Sequence, residues 1–316
     1  MKANIRKILY AMLLGVCVYF GLALYSGLGK IRDSLAIFHV ETFFFACGLA
    51  FGNYVLRFLK WEFYLARLDI RGVKKSDSFL IFLSGFVLTV SPGKVGEVFK
   101  SLVLAETYGV PAPKTAPIVI AERVTDLIGI IILILAGSVG FTGGLLPAAI
   151  GGALVFILLV VVMWRGASLW LIGLVKHLPG KLEKVGPKLE TMYETLGVLV
   201  HPRNLLLPTL LSIAAWSLEC LALWTILWGF GEPVPVPLAA FFYATSTLVG
   251  AVMPGGLGVT ESALREQMID LGHVSRDAST DAMMLVRFAT LWFAVLVGFS
   301  ALALLKRRYP KLLKDG

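Results

Sequence analysis

The sequence predicts an all-α polytopic membrane protein, with about six full transmembrane helices and two re-entrant helical hairpins of opposite orientation forming an inverted-topology repeat. Three observations carry this. Hydrophobic residues make up 58% of the 316-residue chain and charged residues only 16%, with mean hydropathy +0.83. A soluble domain of this length cannot bury that much apolar surface. Apolar stretches recur at the length needed to cross the hydrocarbon core, about 20 residues. The pattern x-Pro-Gly-x-x-Gly also interrupts two such stretches, as Ser91-Pro92-Gly93-Lys94-Val95-Gly96-Glu97 and as Met253-Pro254-Gly255-Gly256-Leu257-Gly258.

Taken in order, Lys2, Arg6 and Lys7 precede the first span, 5–28, which has no convincing small-residue cleavage site and reads as a retained helix. A second span fits 37–59. The region 77–107 is cut by the first break, and neither half is long enough to cross alone, so it reads as a re-entrant hairpin, with one discontinuous span as the alternative. Spans at 114–139 and 145–164 follow. The segment 165–204, with Lys176, Lys181, Lys184 and Lys188 among Leu and Val, reads as a basic amphipathic connection on the cytoplasmic surface or as a solvated linker. A span at 205–228, the second hairpin at 238–271 and a last span at 279–305 complete the chain. The first repeat then covers 37–139 and the second 205–305.

The distribution of cations orients these elements. With both broken regions returning to their own side, Arg57 to Lys75, Arg165 to Arg203 and Lys306 to Lys314 fall on the side of the N-terminus. Only Lys30, Arg32, Arg265 and Arg276 fall on the other. This is a positive-inside pattern with both termini cytoplasmic, as expected for the plasma membrane. It also makes the hairpins enter from opposite faces. The formal charge of +9 is thus spent on orientation, and no soluble basic patch for nucleic acid is formed.

Charges at membrane depth are functional candidates by default, because each is costly unless paired or hydrated. Pro92 and Gly93 expose backbone N–H groups beside Lys94 and Gly96, and Glu97 and Lys100 share one helical face just beyond. That set suits an anionic group such as phosphate, with Glu97 as a proton carrier or amine partner, or else a capped structural hairpin. In the second break, Pro254, Gly255, Gly256 and Gly258 permit close approach of backbone or ligand, and Glu261 and Arg265 lie four residues apart. Close helix packing explains those glycines equally well. Glu122, Arg123 and Asp126 lie within one turn of the span after the first hairpin; Arg123 can pair with Asp126, which leaves one carboxylate in excess. Arg287, in the last span, requires a partner such as Glu261 or a lipid phosphate. Glu219 is a weaker candidate, and Arg57 with Trp61 reads as an interfacial anchor.

Absent motifs narrow the function. The chain holds no P-loop, no H-E-x-x-H, no G-x-S-x-G and no Asp-rich diphosphate motif, so a cofactor and ATP hydrolysis are not expected. His39, His177, His201 and His273 are scattered, and Cys17, Cys47 and Cys220 lack ligand spacing, so no metal site is expected.

Ser91-Pro92-Gly93-Lys94-Val95-Gly96-Glu97 with Lys100, Glu122-Arg123-Val124-Thr125-Asp126, and Pro254-Gly255-Gly256-Leu257-Gly258 with Glu261 together resemble the lysylphosphatidylglycerol synthase transmembrane-region family. Lys100 departs from the Arg often found at that position, keeping charge but losing bidentate geometry. The resemblance implies a flippase-like domain that moves lipids between leaflets. In bifunctional members a soluble aminoacyl-transfer domain follows; this chain ends at Gly316 without one, so that enzymatic activity is not expected. The expected function is therefore a flippase or scramblase for a lipid with an anionic or lipid-linked headgroup, coupled to a proton or ion gradient, driven by the lipid's own gradient, or powered by a partner. A lipid-modifying enzyme using the Glu122/Asp126 pair is the alternative, as is a non-catalytic partner that presents lipid to a synthase or glycosyltransferase.

Overall fold

Val40–Arg67 form a 28-residue helix, α1, which at about 1.5 Å per residue is long enough to cross a bilayer. Its two faces are reversed relative to a helix in water. Phe44, Phe45, Phe51, Val55 and Leu59 are exposed, whereas Asn53, Arg57 and Lys60 are buried with Tyr54, Trp61 and Tyr64. The apolar face is left for lipid tails and the polar stripe turns into protein, which is the arrangement the bilayer demands. Sequence alone ended this span at 59 because charged residues begin there, but the helix carries Lys60 and Glu62 onward to Arg67.

In this computed structural model, residues 38–91, 96–138, 149–150, 153, 186–251 and 253–312 are described, 186–190 by backbone only. The expected spans 5–28 and 145–164, most of the connection 165–204, and Pro92, Gly93 and Lys94 of the first break lie outside them.

Each broken region folds as two short helices. In the first, α2 (Lys75–Ser84) passes through a 3-10 turn at Gly85–Leu88, and α3 (Phe99–Tyr108) ends on Gly109 at φ 68°, a left-handed helix stop. The short α4 (Ala112–Thr115) leads into α5 (Pro117–Gly137), which starts on a proline whose missing N–H has no helical partner to lose. Beyond α6 (Gly186–Leu199) runs α7 (Pro202–Gly229), another 28-residue helix. The second broken region comprises α8 (Val236–Gly250), a 3-10 turn at Pro254–Gly256 and α9 (Val259–Asp270). The last span is two helices, α10 (Arg276–Arg287) and α11 (Phe293–Arg308), joined by a π-helical turn at Phe288–Trp292. Among the described residues, α1, α7 and the α10–α11 unit are apolar and long enough to cross a membrane. With no strand among the described residues, the protein is an all-α polytopic membrane protein.

Packing exchanges partners between the two broken regions. α5, which follows the first break, lies against α8 of the second, while α11, which follows the second, lies against α2 of the first. Glycine permits both contacts. A Cβ at Gly137 would stand 2.6 Å from the Pro237 carbonyl oxygen, and one at Gly298 would stand 2.7 Å from the Val87 backbone nitrogen. In a bilayer, where lipid tails are as apolar as the side chains, such backbone approach is the main source of helix association. α1 packs along α7, tied by the Asn53 amide donating to the Ala215 carbonyl at 2.8 Å.

Candidate functional site

The two broken regions meet. Gly255 has φ +60°, a left-handed conformation, and a Cβ there would lie 3.1 Å from Val90 Cγ1, immediately before the first break. Only glycine satisfies both the angle and the space. Beside this contact is a cavity of about 260 Å³. Phe86 and Thr89 reach it from the first broken region, and Met253, Gly255, Gly256 and Thr260 from the second. Tyr54 and Arg57 of α1, Arg123 and Asp126 of α5, and Glu219 of α7 form its polar walls, with Tyr243, Arg287 and Thr290 opposite.

The buried charges are sorted into pairs. Arg57 donates to Glu97 Oε2 at 3.2 Å and Arg123 to the same oxygen at 3.1 Å. Lys60 donates to Asp126 Oδ1 at 2.6 Å, the Ser212 hydroxyl donates to that oxygen at 2.9 Å, and Arg123 pairs with Asp126 Oδ2 at 3.3 Å. Lys100 donates to both oxygens of Glu122 at 2.7 and 2.8 Å, its ammonium 4.8 Å from the centre of the Trp61 ring. Arg287 donates from Nε to Glu261 and from a terminal nitrogen to the Gly255 carbonyl, each at 2.6 Å. Each carboxylate so bound lies in a low-dielectric interior where loss of its partner is severe.

Several sequence candidates therefore converge and others do not. Arg123, Asp126, Gly255, Gly256 and Arg287 line the cavity, with Glu97 and Glu261 directly behind as partners of its arginines. Lys100 and Glu122 are fully buried against each other and do not line it. Gly96 closes the first turn, its N–H donating to the Ser91 hydroxyl at 2.7 Å. Pro254 opens the second 3-10 turn, and Gly258, at φ +82°, precedes α9. Arg265, although four residues from Glu261, points elsewhere: it donates to Thr280 at 2.9 Å and pairs with Glu266 at 2.5 Å.

Arg57 and Trp61 are not interfacial. Arg57 is 6% exposed and Trp61 fully buried, with the Trp61 indole donating to Ser78 at 3.2 Å. Lys60 escaped sequence reading altogether, and so did Tyr54 and Tyr243. A signal was present: Asn53, Arg57 and Lys60 recur at intervals of four and three along an otherwise apolar helix, which is one face. The carboxylate excess expected around Glu122 and Asp126 is removed by Lys60 and Lys100. Among the described residues no group of three His, Cys, Asp or Glu converges to hold a metal ion.

Residues 12–298, which take in both breaks and the paired charges, match the model of the lysylphosphatidylglycerol synthase TM region. The chain belongs to this family. It is similar to two UPF0104 membrane proteins of Methanothermobacter thermautotrophicus. One is 25% identical over 317 residues, covering 92% of this chain and 93% of that protein. The other is 24% identical over 302 residues, covering 88% of each. With its apolar spans, this family member is an integral membrane protein.

Proposed function

We propose that this protein is a membrane lipid transporter, a flippase or scramblase, that binds an anionic headgroup in the cavity between the two broken regions. The observation that carries the reading is the cavity's wall of three arginines at the point where the broken regions touch. Arg57 Nε and Arg123 Nε are buried without a hydrogen-bond partner, so neither guanidinium has all of its donors satisfied by the protein. Guanidinium donors bind phosphate with charge-assisted hydrogen bonds roughly twice as strong as neutral ones. The glycine-rich entry to α9 adds backbone N–H groups at a positive helix end. The membrane family and its lipid name agree with a substrate whose tails remain in the bilayer while the headgroup crosses.

In this reading the broken regions are re-entrant hairpins dipping from opposite faces of the plasma membrane, with both termini cytoplasmic, and their inverted relation allows alternating access at mid-membrane. No covalent step on the lipid is invoked. Glu122 and Asp126, the residues an acid–base mechanism would need, are each held by a lysine, which favours transport over enzymatic modification. A separate synthase or glycosyltransferase supplies or consumes the lipid.

The test is leaflet exchange in vesicles holding the purified protein, with headgroup-varied fluorescent lipids and a membrane-impermeant quencher. Accelerated exchange of anionic lipids, reduced at least tenfold in Arg57→Ala and Arg287→Ala proteins that still insert and fold, supports the reading. Absence of acceleration for every lipid overturns it. Appearance of a chemically altered lipid makes the protein an enzyme instead.

A further inference from the structure

Among the described residues, the charges of the cavity and the layer behind it balance in only one way when a monoanion is bound. Five cations belong to its walls and the layer behind them: Arg57, Lys60, Lys100 and Arg287 are buried, and Arg123, with its side chain 22% exposed, lines the cavity. Four carboxylates, Glu97, Glu122, Asp126 and Glu261, are paired with them. A fifth carboxylate, Glu219, is different. It is 9% exposed, lines the cavity, and accepts a hydrogen bond from the Tyr243 hydroxyl at 2.7 Å, but forms no ion pair among the described residues.

We infer that Glu219 carries a proton that is co-transported with each monoanionic phosphate headgroup. With Glu219 ionised, the described cluster holds five positive and five negative charges. A phosphate monoanion entering that cluster would leave one uncompensated negative charge in a low-dielectric site. With Glu219 protonated, the cluster carries one surplus positive charge, and the phosphate neutralises it. Headgroup and proton thus raise each other's affinity, and this coupling is necessarily reciprocal. The other four carboxylates cannot accept the proton without releasing a cation; Glu219 releases only a tyrosine hydroxyl, which can also accept from a carboxylic acid.

The groups that face Glu219 agree with this role. From α1 they are Tyr54 and Arg57, from α5 Arg123 and Asp126, from α8 Tyr243, and from α10 Arg287. Cys220 adjoins it on α7. The first and second breaks present Thr89 and Thr260, which do not titrate. The α6 helix touches α7 near Asn204, about four turns away. The proton is taken from water on the acidic side and returned on the alkaline side, and the loaded site crosses without net charge.

This inference rests on the transport reading, and one experiment separates the two. The full protein is placed in phosphatidylcholine vesicles with fluorescent phosphatidylglycerol, and the fraction protected from an external quencher is followed under a pH difference of about one unit. Acid outside is expected to draw the label to the inner leaflet, toward a ratio of about tenfold for one proton per lipid. Reversal of the gradient should reverse the asymmetry. In Glu219→Gln, whatever its rate, the label settles at equal leaflet populations under either gradient. No exchange of any anionic lipid by the wild-type protein overturns the transport reading itself. Exchange to equal populations despite the gradient leaves transport standing and overturns the proton. Undiminished asymmetry in Glu219→Gln overturns the assignment to Glu219. Gradient-driven uptake of radiolabelled inorganic phosphate without lipid movement keeps the proton and makes a free phosphate its companion.

Discussion

At the scale of single residues, the buried pairs divide into those that face the cavity and those that brace it. Lys100 and Glu122 brace it: both are sealed under Trp61 and Phe82, with no surface toward the cavity. Lys100→Met is expected to lower stability by about 3–5 kcal/mol, because it leaves Glu122 charged and unpaired. The double variant Lys100→Met/Glu122→Gln should recover most of that loss, and thermal unfolding in detergent reads both. Arg265 and Arg287 make the opposite comparison. Arg265 lies among Glu266 and Thr280, so Arg265→Ala is expected to keep lipid exchange within about twofold of wild type, consistent with a partly exposed pair of small worth. Arg287→Ala removes a cavity wall together with the partner of Glu261, and exchange should fall more than tenfold. Equal effects of the two would place the headgroup outside the cavity.

At the scale of elements, glycine decides how closely the helices come. Gly255 sits at φ +60° against Val90, so Gly255→Ala adds a left-handed strain of about 1–2 kcal/mol and a methyl group in a contact without room for it. The expected result is a folded protein whose breaks are pushed apart and whose exchange rate drops at least tenfold. The π-helical turn at Phe288–Trp292 has a local role of the same kind. It re-aims the carbonyl of Thr290, which accepts from the Tyr54 hydroxyl at 2.9 Å, and so binds α1 to the helix that follows Arg287.

At the scale of the whole molecule, the exchanged packing of α5 and α11 is locked at one end by a polar cluster. Asp77 at the start of α2 accepts from Tyr108 at the end of α3 and from Tyr309 beyond α11, at 2.7 and 2.6 Å, and also pairs with Arg308. Both ends of the first broken region are thereby fastened to the end of α11. Burial works to raise the Asp77 carboxyl, but the hydrogen bonds from Tyr309, Tyr108 and Arg308 outweigh it and hold the group below its usual range. The bond to Asp77 raises the Tyr309 phenol in turn. A carboxylate depressed on folding stabilises the protein above its unfolded value of about 3.9 and loses that contribution as pH falls through the folded value. Tyr309→Phe is therefore expected to melt below wild type near pH 7, with the difference narrowing as pH is lowered past about 4. A difference that is constant with pH would mean that the tyrosine acts by packing alone.

The membrane class, and among the described residues the spans and the regions where helices break, were legible in the sequence, because hydropathy and Pro-Gly punctuation are properties of contiguous residues. The observed α7, at Pro202–Gly229, differs from its expected span of 205–228 only at the ends. Most of the charge network was legible as well, since Glu97, Lys100, Glu122, Arg123, Asp126, Glu261 and Arg287 declare themselves by lying at membrane depth. The pairing of Arg123 with Asp126 followed from their spacing, but the partners on other helices did not. Spacing of three or four shows that residues share a helix face, but not which helix that face meets, so Glu261 was matched with Arg265 on its own helix as readily as with Arg287. Arg57 and Lys60 come to Glu97 and Asp126 from 40 and 66 residues away. Only the packing of α1 into the bundle decides that they are buried partners and not the cations of a membrane edge. The sequence by itself thus determined what must lie in the bilayer and which residues were expensive there; the tertiary structure decided which of them neutralise one another, leaving Glu219 beside a tyrosine, because charge pairing depends on distance in space and not on order along the chain.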